Sequence, residues 1–287
     1  MQLHTINTGF FKLDGGAMFG VVPKSMWHKL NAPDENNMCR WAMRCLLVQT
    51  DDKRNILIDT GLGDKQDAKF RSHFYPHGSD TLLNSLAQKG LQPDDITDVV
   101  LTHFHFDHVG GAVKRNDKNE YLPTFPKAKY WTNDAHYAWA FAPNPREKAS
   151  FLKENFVPLF EHGVLQQVEV QQGMKLFDNF YLDFAFGHTE ALINPRITVG
   201  DKTVFYCADL LASAAHIGLP YVMSYDIRPL QTMKEKDLML RQAAEQSWIL
   251  YLEHDPVNEC CTVRLNEKGQ IVLDKTMTLA EALGFKQ

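Results

Sequence analysis

The sequence lacks the segments that direct a protein into a membrane or an oxidising compartment. No apolar stretch is long enough to span a bilayer, and residues 1–5 have neither the basic start nor the apolar core of a secretory signal. The five cysteines are an odd number without the spacing of a metal site, so we expect them to be reduced and mostly packed. These absences predict a cytoplasmic protein.

The sequence also lacks an excess of positive charge and any evident linker. A formal net charge of -5 gives no general attraction for nucleic acid or an anionic membrane, and we expect neither as a partner. No stretch rich in proline, serine and glycine divides the 287 residues, and no internal repeat is visible. With 44% hydrophobic residues the chain can bury a large core, so we predict a single domain over residues 1–287.

Residues 102–111 place three imidazoles and one carboxylate within six positions. His103 and His105 lie two apart and can point the same way from an extended backbone. Asp107 and His108 are adjacent and must diverge unless a loop turns them, so the motif suits two metals better than one. Imidazole and carboxylate are ligands for Zn²⁺, Mn²⁺ or Fe²⁺, and the motif has no cysteine that would favour a structural thiolate site.

Two metals need more ligands than this motif supplies, and three strand-like apolar runs each end close to a further candidate. The pairs are residues 180–186 before His188, residues 203–207 before Asp209, and residues 248–252 before His254. Open sheets usually build their sites at the carboxyl edge of strands, where we expect these side chains. Asp255 is an alternative to His254, and its other role would be to start the turn before Pro256.

The remaining pattern predicts the elements around these residues. Expected are a hairpin of residues 46–49 and 56–59, a helix capped at 79–80 that stops at Gly90, a strand at 99–101, a helix at 234–247, a hairpin of 262–265 and 271–273, and a helical tail at 279–283. Strands and helices therefore alternate along the chain.

The order of these residues resembles that of dinuclear hydrolases of the metallo-β-lactamase superfamily. The resemblance spans nearly the whole chain, from residues 56–61 through the 102–111 motif and residues 187–189 to Asp209 and His254. It implies an α/β fold, α+β by some schemes, built as an αββα sandwich with two sheets face to face and helices outside.

The resemblance also implies a ligand set and a cofactor. The first metal would be held by His103, His105 and His188, and the second by Asp107, His108 and His254. Asp209 resembles the carboxylate that bridges both metals, and Asp59 resembles an acid that holds a ligand imidazole, or the loop around it, in place. The cofactors implied are two divalent metal ions, with zinc expected first and manganese, iron or cobalt as alternatives.

Two metals would supply the chemistry of a hydrolase. Metal coordination lowers the pKa of water from ~15.7 towards ~7, which gives hydroxide at neutral pH without a strong side-chain base. The candidate catalytic residues are Asp107 and Asp209. Asp107 would orient the nucleophile and later protonate the leaving group, directly or through water.

Two segments are expected to shape the preference for a small-molecule substrate. Residues 13–23, continuing to Trp27, are apolar but broken by glycines, which predicts a loop at the mouth of the site. Residues 130–162 read as an aromatic-rich helical insertion. Candidate pocket residues are Met18, Phe19, Trp27, Tyr137, Trp139, His216, Tyr221 and Tyr225. Aromatic side chains of this kind are more often core residues, we favour a structural role for His216, and Tyr221 and Tyr225 could equally be core. Together they predict a preference for apolar substrates.

The residues at positions 209 and 254 bear on the substrate. An aspartate at 209 together with a histidine at 254 resembles the pattern of N-acyl homoserine lactone lactonases and of methyl parathion hydrolase-like enzymes. The lactonases place a tyrosine shortly after the bridging aspartate, whereas residues 210–213 contain none. We predict a lactonase acting on an apolar-substituted lactone or ester.

The alternatives are a phosphotriesterase or arylesterase of the methyl parathion hydrolase type and a non-catalytic metal-holding scaffold. The stretch from residue 208 to residue 226 looks closer to the methyl parathion hydrolase branch. The scaffold is weakened by the complete ligand set. The resemblance also suggests a homodimer, with the segment from Met18 to Trp27 as one contact.

Overall fold

A computed structural model describes residues 1–284 of the chain and shows a mixed α/β fold with several sheets. The strands are β1 (Gln2–Asp14), β2 (Met38–Gln49), β3 (Asn55–Ile58), β4 (Asp98–Val100), β5 (Val113–Arg115), β6 (Tyr121–Pro123), β7 (Lys129–Thr132), β8 (Leu165–Gln167), β9 (Met174–Phe177), β10 (Phe180–Ala185), β11 (Leu192–Val199), β12 (Lys202–Tyr206), β13 (Ile249–Tyr251), β14 (Cys260–Leu265) and β15 (Ile271–Met277). This composition confirms the predicted fold class.

The helices connect these strands and flank them in sequence. They are α1 (Gly15–Phe19), α2 (Lys24–Trp27), α3 (Ala68–Phe74), α4 (Leu82–Gln88), α5 (Phe106–Val109), α6 (Asp134–Phe141), α7 (Val157–Glu161), α8 (Pro229–Gln246) and α9 (Leu279–Leu283). Within residues 1–284, no helix combines the length and the apolar character needed to cross a membrane.

The chain divides into two compact units. Unit 1 comprises Met1–Gly9 and Met43–Val170, and unit 2 comprises Phe10–Ala42 and the residues from Gln171 onward. The single domain over residues 1–287 stays a prediction. The two units carry different parts of the candidate ligand set, as the strand pairings show.

In unit 1, parallel pairing brings two functional segments to one sheet edge. The sheet order is β1-β2-β3-β4-β7-β8, and β3, β4, β7 and β8 run parallel to one another. Ile58 at the end of β3 pairs with Val100 at the end of β4. Asp59 and the segment that begins at Thr102 therefore leave the sheet at the same edge. These short strands are buried, as expected for parallel pairing.

In unit 2, three strands that run in the same direction end at a common edge. The sheet order is β15-β14-β13-β12-β11-β10-β9. β12 and β13 are parallel, and β10 runs with them because it pairs antiparallel to β11, which pairs antiparallel to β12. His188, Asp209 and His254 follow these three strands, so the prediction that they lie at one strand edge is confirmed within unit 2.

Several predicted elements are confirmed with shifted ends. The hairpins of β2 with β3 and of β14 with β15 are present, and so is the helical tail, α9. The cap of α4 is Thr81, whose side chain accepts from the backbone of Asn84, and not Ser79 or Asp80. Helix α8 begins at Pro229, five residues before the predicted start, because proline suits the first helical position.

The prediction of a loop over residues 13–27 is wrong. β1 continues to Asp14, and α1 and α2 follow, with Met18, Phe19 and Trp27 buried. Gly15 explains the misreading, since a Cβ there would lie 2.3 Å from the Trp27 ring. The glycine serves close packing in unit 2 and not loop flexibility.

Residues 130–162, predicted as a helical insertion, begin in a strand. Tyr130 belongs to β7 and is fully buried, and only afterwards do α6 and α7 follow. The buried aromatic side chains of this segment belong to the hydrophobic core of unit 1, with Tyr137 and Trp139 packed against it.

Candidate metal centre

In unit 1, two imidazoles of the 102–111 motif face each other. His103 Nε2 lies 3.0 Å from His105 Nδ1, and both side chains are buried. Two ring nitrogens this close need a proton or a cation between them, because their lone pairs would otherwise repel. Asp107 and His108 lie on α5, where the Asp107 carboxylate is 3.7 Å from His108 Nε2.

Asp59 holds the segment that carries these ligands. Its carboxylate accepts from the Thr102 backbone N–H at 2.8 Å and from the Thr102 hydroxyl at 2.6 Å. The same carboxylate lies 3.2 Å from His108 Nδ1, and Asp59 is fully buried with a φ of 58°. A carboxylate on Nδ1 keeps the proton there, so the lone pair of the His108 ring lies on Nε2, the atom that would bind a metal.

The paired glycines of the motif permit a close approach of two loops in unit 1. A Cβ on Gly110 would lie 1.9 Å from the Leu62 carbonyl oxygen, and one on Gly111 would lie 2.3 Å from that of Thr60. The Thr60 N–H and hydroxyl both donate to the His108 carbonyl at 2.8 Å. These contacts fix the backbone of α5 against the loop that follows Asp59.

Sequence reasoning missed two further contacts of this motif. His136 accepts from the Phe104 N–H with Nε2 at 2.8 Å, which fixes the backbone between His103 and His105. Glu147 is buried with a carboxylate oxygen 3.6 Å from His105 Nε2. Trp139, a candidate pocket residue, donates its indole N–H to the other Glu147 oxygen at 2.7 Å. No local pattern marks Glu147, because its role depends on a contact 42 residues away.

In unit 2, one carboxylate lies between two imidazoles. Asp209 Oδ2 is 3.0 Å from His188 Nε2, and Asp209 Oδ1 is 3.1 Å from His254 Nε2. All three side chains are buried. Each carboxylate oxygen therefore faces one imidazole, which is the arrangement a bridging carboxylate needs.

The far nitrogen of each imidazole is also held within unit 2. His188 Nδ1 lies 2.7 Å from Asp226 Oδ1, and His254 Nδ1 lies 2.7 Å from the Ala42 carbonyl. When these rings are neutral, both acceptors keep the proton on Nδ1 and direct the Nε2 lone pair towards Asp209. Sequence reasoning missed Asp226. Asp255, the alternative to His254, accepts backbone N–H groups of Val257 and Asn258 and is a turn residue.

Four candidate pocket residues of unit 2 form a cluster in which Phe19, Trp27 and His216 are buried and Tyr221 is partly buried. His216 stacks on Phe19 with ring centroids 4.8 Å apart, Trp27 stacks on Phe19 at 5.0 Å, and Tyr221 meets Phe19 edge-on at 6.3 Å. Burial lowers the pKa of His216 to about 4, so the ring is neutral, with Nε2–H donating to the Met18 carbonyl at 2.9 Å. We call Phe19, Trp27, Trp41, His216 and Tyr221 the aromatic cluster.

Tyr225 and Tyr137 are pocket candidates that lie outside the aromatic cluster. Tyr225 is partly buried in unit 2, between the aromatic cluster's Tyr221 and Asp226 in sequence. Tyr137 packs edge-on against Phe104 and Phe156 in unit 1, with ring centroids 6.3 Å and 5.8 Å apart. Tyr137 is therefore partly buried against the core of unit 1, and its role in a pocket stays a prediction.

The chemistry of these residues fits divalent metal ions. Buried imidazoles and carboxylates gather with their ring nitrogens and oxygens facing one another, and the outer nitrogens of His108, His188 and His254 are each oriented by an oxygen. This is how proteins prepare neutral imidazoles for a metal. The chain therefore carries buried clusters of His and Asp side chains that are able to bind metal.

Metal uptake should release a proton from His188. Burial lowers the pKa of His188, but the charges and hydrogen bonds of Asp209 and Asp226 outweigh it and raise the pKa to about 10. The raised pKa stabilises the folded, metal-free protein. This contribution is complete when the pH is below the ordinary pKa of histidine, and it is lost as the pH rises through about 10. Since a metal needs the neutral ring, we expect the apparent metal affinity to rise by about tenfold per pH unit from pH ~7 to ~9 on account of this group.

Calorimetry of metal binding in buffers of different ionisation enthalpy measures this proton. The expected result is at least one proton released per chain at pH ~8, and fewer in a His188→Ala variant. An equal proton count for the two proteins would contradict the assignment of His188 as a ligand.

Replacing Asp226 should weaken metal binding. Asp226→Asn keeps the size of the side chain but removes the charge that orients His188, so we expect metal affinity to fall by about 10- to 100-fold. Chelator competition measures the change. Asp178→Asn is the control, because that carboxylate is 93% exposed elsewhere in unit 2, and an equal affinity for both variants would rule out the orienting role.

Comparisons with known proteins agree with this chemistry. A family model described as the metallo-beta-lactamase superfamily matches residues 44–254. A probable metallo-hydrolase of Mycobacterium tuberculosis is 27% identical over 277 residues, covering 84% of this chain and 85% of that protein.

Solved structures extend the comparison. A probable metal-dependent hydrolase from Staphylococcus aureus is 26% identical with a TM-score of 0.86, covering 96% of both chains. AidC, a dizinc quorum-quenching lactonase solved with the product N-hexanoyl-L-homoserine, is 21% identical with a TM-score of 0.78, covering 96% of this chain and 95% of that one. The likeness to AidC shows the fold alone.

Proposed function

The chain belongs to the metallo-beta-lactamase superfamily and is a metal-dependent hydrolase, and we propose that it uses two metal ions to open N-acyl homoserine lactone-type substrates. The observation that carries this proposal is the position of Asp209. Its two oxygens face different imidazoles at 3.0 Å and 3.1 Å, as a carboxylate shared by two metals would.

The proposed ligand sets follow from the number of donors a catalytic metal needs. A catalytic zinc takes three protein ligands and leaves a position open. His103 and His105 offer two nitrogens, and we propose His188 as the third. Asp107 and His108 offer two donors, and we propose His254 as the third, with Asp209 shared by both metals.

Each side chain then has a defined task. When bound, two divalent metals lower the pKa of a coordinated water and polarise the oxygen of the electrophile. Asp107 orients the attacking water and returns a proton to the leaving oxygen, directly or through water. Asp59 and Asp226 hold the ligand imidazoles by their Nδ1 atoms. Asp209 would bind both metals.

The preference for a lactone rests on two supports. AidC, whose fold this chain shares, was solved with an acyl homoserine product. The aromatic cluster offers large apolar side chains in the same unit as Asp209, which suits an acyl substituent. We propose zinc as the metal, a small molecule as the only partner besides a second copy of the chain, and a cytoplasmic location.

A phosphotriesterase or arylesterase is the second candidate. Residues 210–213 are Leu-Leu-Ala-Ser and offer no tyrosine for the substrate carbonyl. This absence favours a substrate whose oxygen is polarised by metal alone.

A matched substrate panel tests the proposal. Metal-quantified protein would be assayed on an acyl homoserine lactone, an aryl ester, an aryl phosphotriester and a β-lactam. We expect kcat/KM for the lactone to exceed the other values by at least about tenfold. Chelator-treated protein is the control. A higher value for the phosphotriester would support the second candidate, and no turnover with two metals bound would favour a non-catalytic scaffold.

A further inference from the structure

Lys236 is a buried ammonium held by three backbone carbonyls of one loop. Its Nζ donates to the carbonyl oxygens of His216 at 2.9 Å, Gly218 at 3.1 Å and Tyr221 at 2.8 Å. The side chain is 1% exposed. An ammonium has three donors, so every one of its hydrogens has an acceptor in this loop.

Burying the ammonium of a lysine costs free energy, so it requires hydrogen-bond acceptors such as these three carbonyls. Lysine is almost never fully buried without partners, and a buried charge destabilises a fold unless it is hydrogen-bonded. Burial lowers the pKa of Lys236 to about 8, and the charge of Asp226 opposes that shift. The three carbonyls compensate for the lost water, and their hydrogen bonds tie the loop from His216 to Tyr221 to α8.

This loop carries part of the aromatic cluster. His216 stacks on Phe19 and Tyr221 meets Phe19 edge-on. Gly218 lies between them in sequence, and a Cβ there would lie 2.9 Å from the Tyr221 ring. The positions of both rings therefore depend on the backbone that Lys236 holds.

The same loop leads to the partner of a proposed metal ligand. Five residues after Tyr221, Asp226 contacts His188 at 2.7 Å. Glu235, the neighbour of Lys236 on α8, accepts the N–H groups of Phe186 and Gly187 just before His188, each at 3.0 Å. Two adjacent residues of α8 thus anchor both sides of the contact between His188 and Asp226.

We propose that Lys236 is a positioning residue that sets acyl-chain preference by fixing the loop of residues 216–221. The proposal rests on the proposed function for its substrate and on the geometry of unit 2 for its mechanism. Removing the ammonium takes the Lys236 donor away from the His216 and Tyr221 carbonyls and leaves the Gly218 carbonyl with the Tyr221 N–H alone. We therefore expect the loop to move to regain hydrogen bonds. The aromatic cluster changes shape with it.

The first experiment compares Lys236→Met with Lys234→Met in the metal-loaded full chain. Methionine keeps the length of the side chain without the charge, and Lys234 is an exposed lysine on the same helix. We expect hydrogen exchange of residues 211–226 to quicken by at least about tenfold in Lys236→Met and to stay at the wild-type rate in Lys234→Met. Unchanged exchange in Lys236→Met would overturn the proposal.

The second readout separates positioning from a general loss of folded protein. We expect the ratio of kcat/KM for ten-carbon and four-carbon acyl homoserine lactones to change by about fivefold or more in Lys236→Met, mainly through KM. An equal fall for both substrates at unchanged KM would overturn the specificity role. If the wild type opens no lactone, the proposed function fails while the exchange result still decides what Lys236 does.

A further variant changes the loop itself and leaves the Lys236 side chain in place. Gly218→Ala places a methyl group against the Tyr221 ring, so it should change the same substrate ratio if the loop sets chain preference. This variant decides the matter if Lys236→Met does not fold. A ratio equal to that of the wild type in Gly218→Ala would then overturn the proposal.

Discussion

Replacing Asp209 by alanine is expected to lower kcat/KM by on the order of 10³-fold. Metal assistance contributes several kcal/mol to hydrolysis, and each ~1.4 kcal/mol is a factor of about ten. Asp209 faces both His188 and His254, so its loss affects both proposed metals at once. Steady-state kinetics with metal content measured on the same sample checks this result.

Two further variants are compared with Asp209→Ala: a conservative substitution of Asp209, and a control substitution away from the site. Asp209→Asn keeps one oxygen but not the charge, and it should fall between the wild type and the alanine variant. Asp178→Ala, at an exposed carboxylate of the same unit, should match the wild type. Full activity in Asp209→Ala with two metals bound would remove Asp209 from the catalytic assignment.

Replacing His105 by alanine is expected to cost one of two metals and nearly all hydrolysis. Its Nδ1 lies 3.0 Å from His103 Nε2, so the two rings are placed to share one cation. Changes to residues that only orient a ligand lower metal affinity by about 10- to 100-fold, and loss of the ligand itself should exceed that range. Elemental analysis after dialysis measures metals per chain, and the kinetic assay measures activity.

His28→Ala is the matched control for this substitution, since its imidazole is exposed and bonded to its own helix. It should retain two metals and wild-type activity. If His105→Ala also retained both, the pairing of His103 with His105 would have to be structural.

The sequence predicts where the candidate ligands lie in the fold, because each follows a recognisable strand. The alternation of residues 180–186 reappears in the burial of β10, and the apolar runs before Asp209 and His254 are β12 and β13. Parallel direction then brings their ends to one edge without any knowledge of side-chain contacts. Local patterns are sufficient for this part of the site.

Apart from Asp59, the residues that contact the candidate ligands could not be predicted in the same way. Asp226 contacts a histidine 38 positions earlier, and Glu147 contacts one 42 positions earlier. Lys236 reads in sequence as an ordinary polar position of an amphipathic helix, although its ammonium is buried. Their roles arise from tertiary contacts that leave no periodicity or spacing in the chain.

The misreading of residues 13–27 has a different cause. Glycines between apolar residues are typical of loops, but they are equally required where a large ring packs against backbone. Here the ring of Trp27 occupies the space beside Gly15. Distinguishing the two cases requires knowing the partner, which lies twelve residues further along the chain.

Titration of metal-free protein with Zn²⁺ while lactone hydrolysis is followed tests the central claim most directly. The account predicts no activity without metal and a rise that ends at two equivalents per chain. Activity that persists in the metal-free protein, or that is complete at one equivalent, would contradict a dinuclear hydrolase.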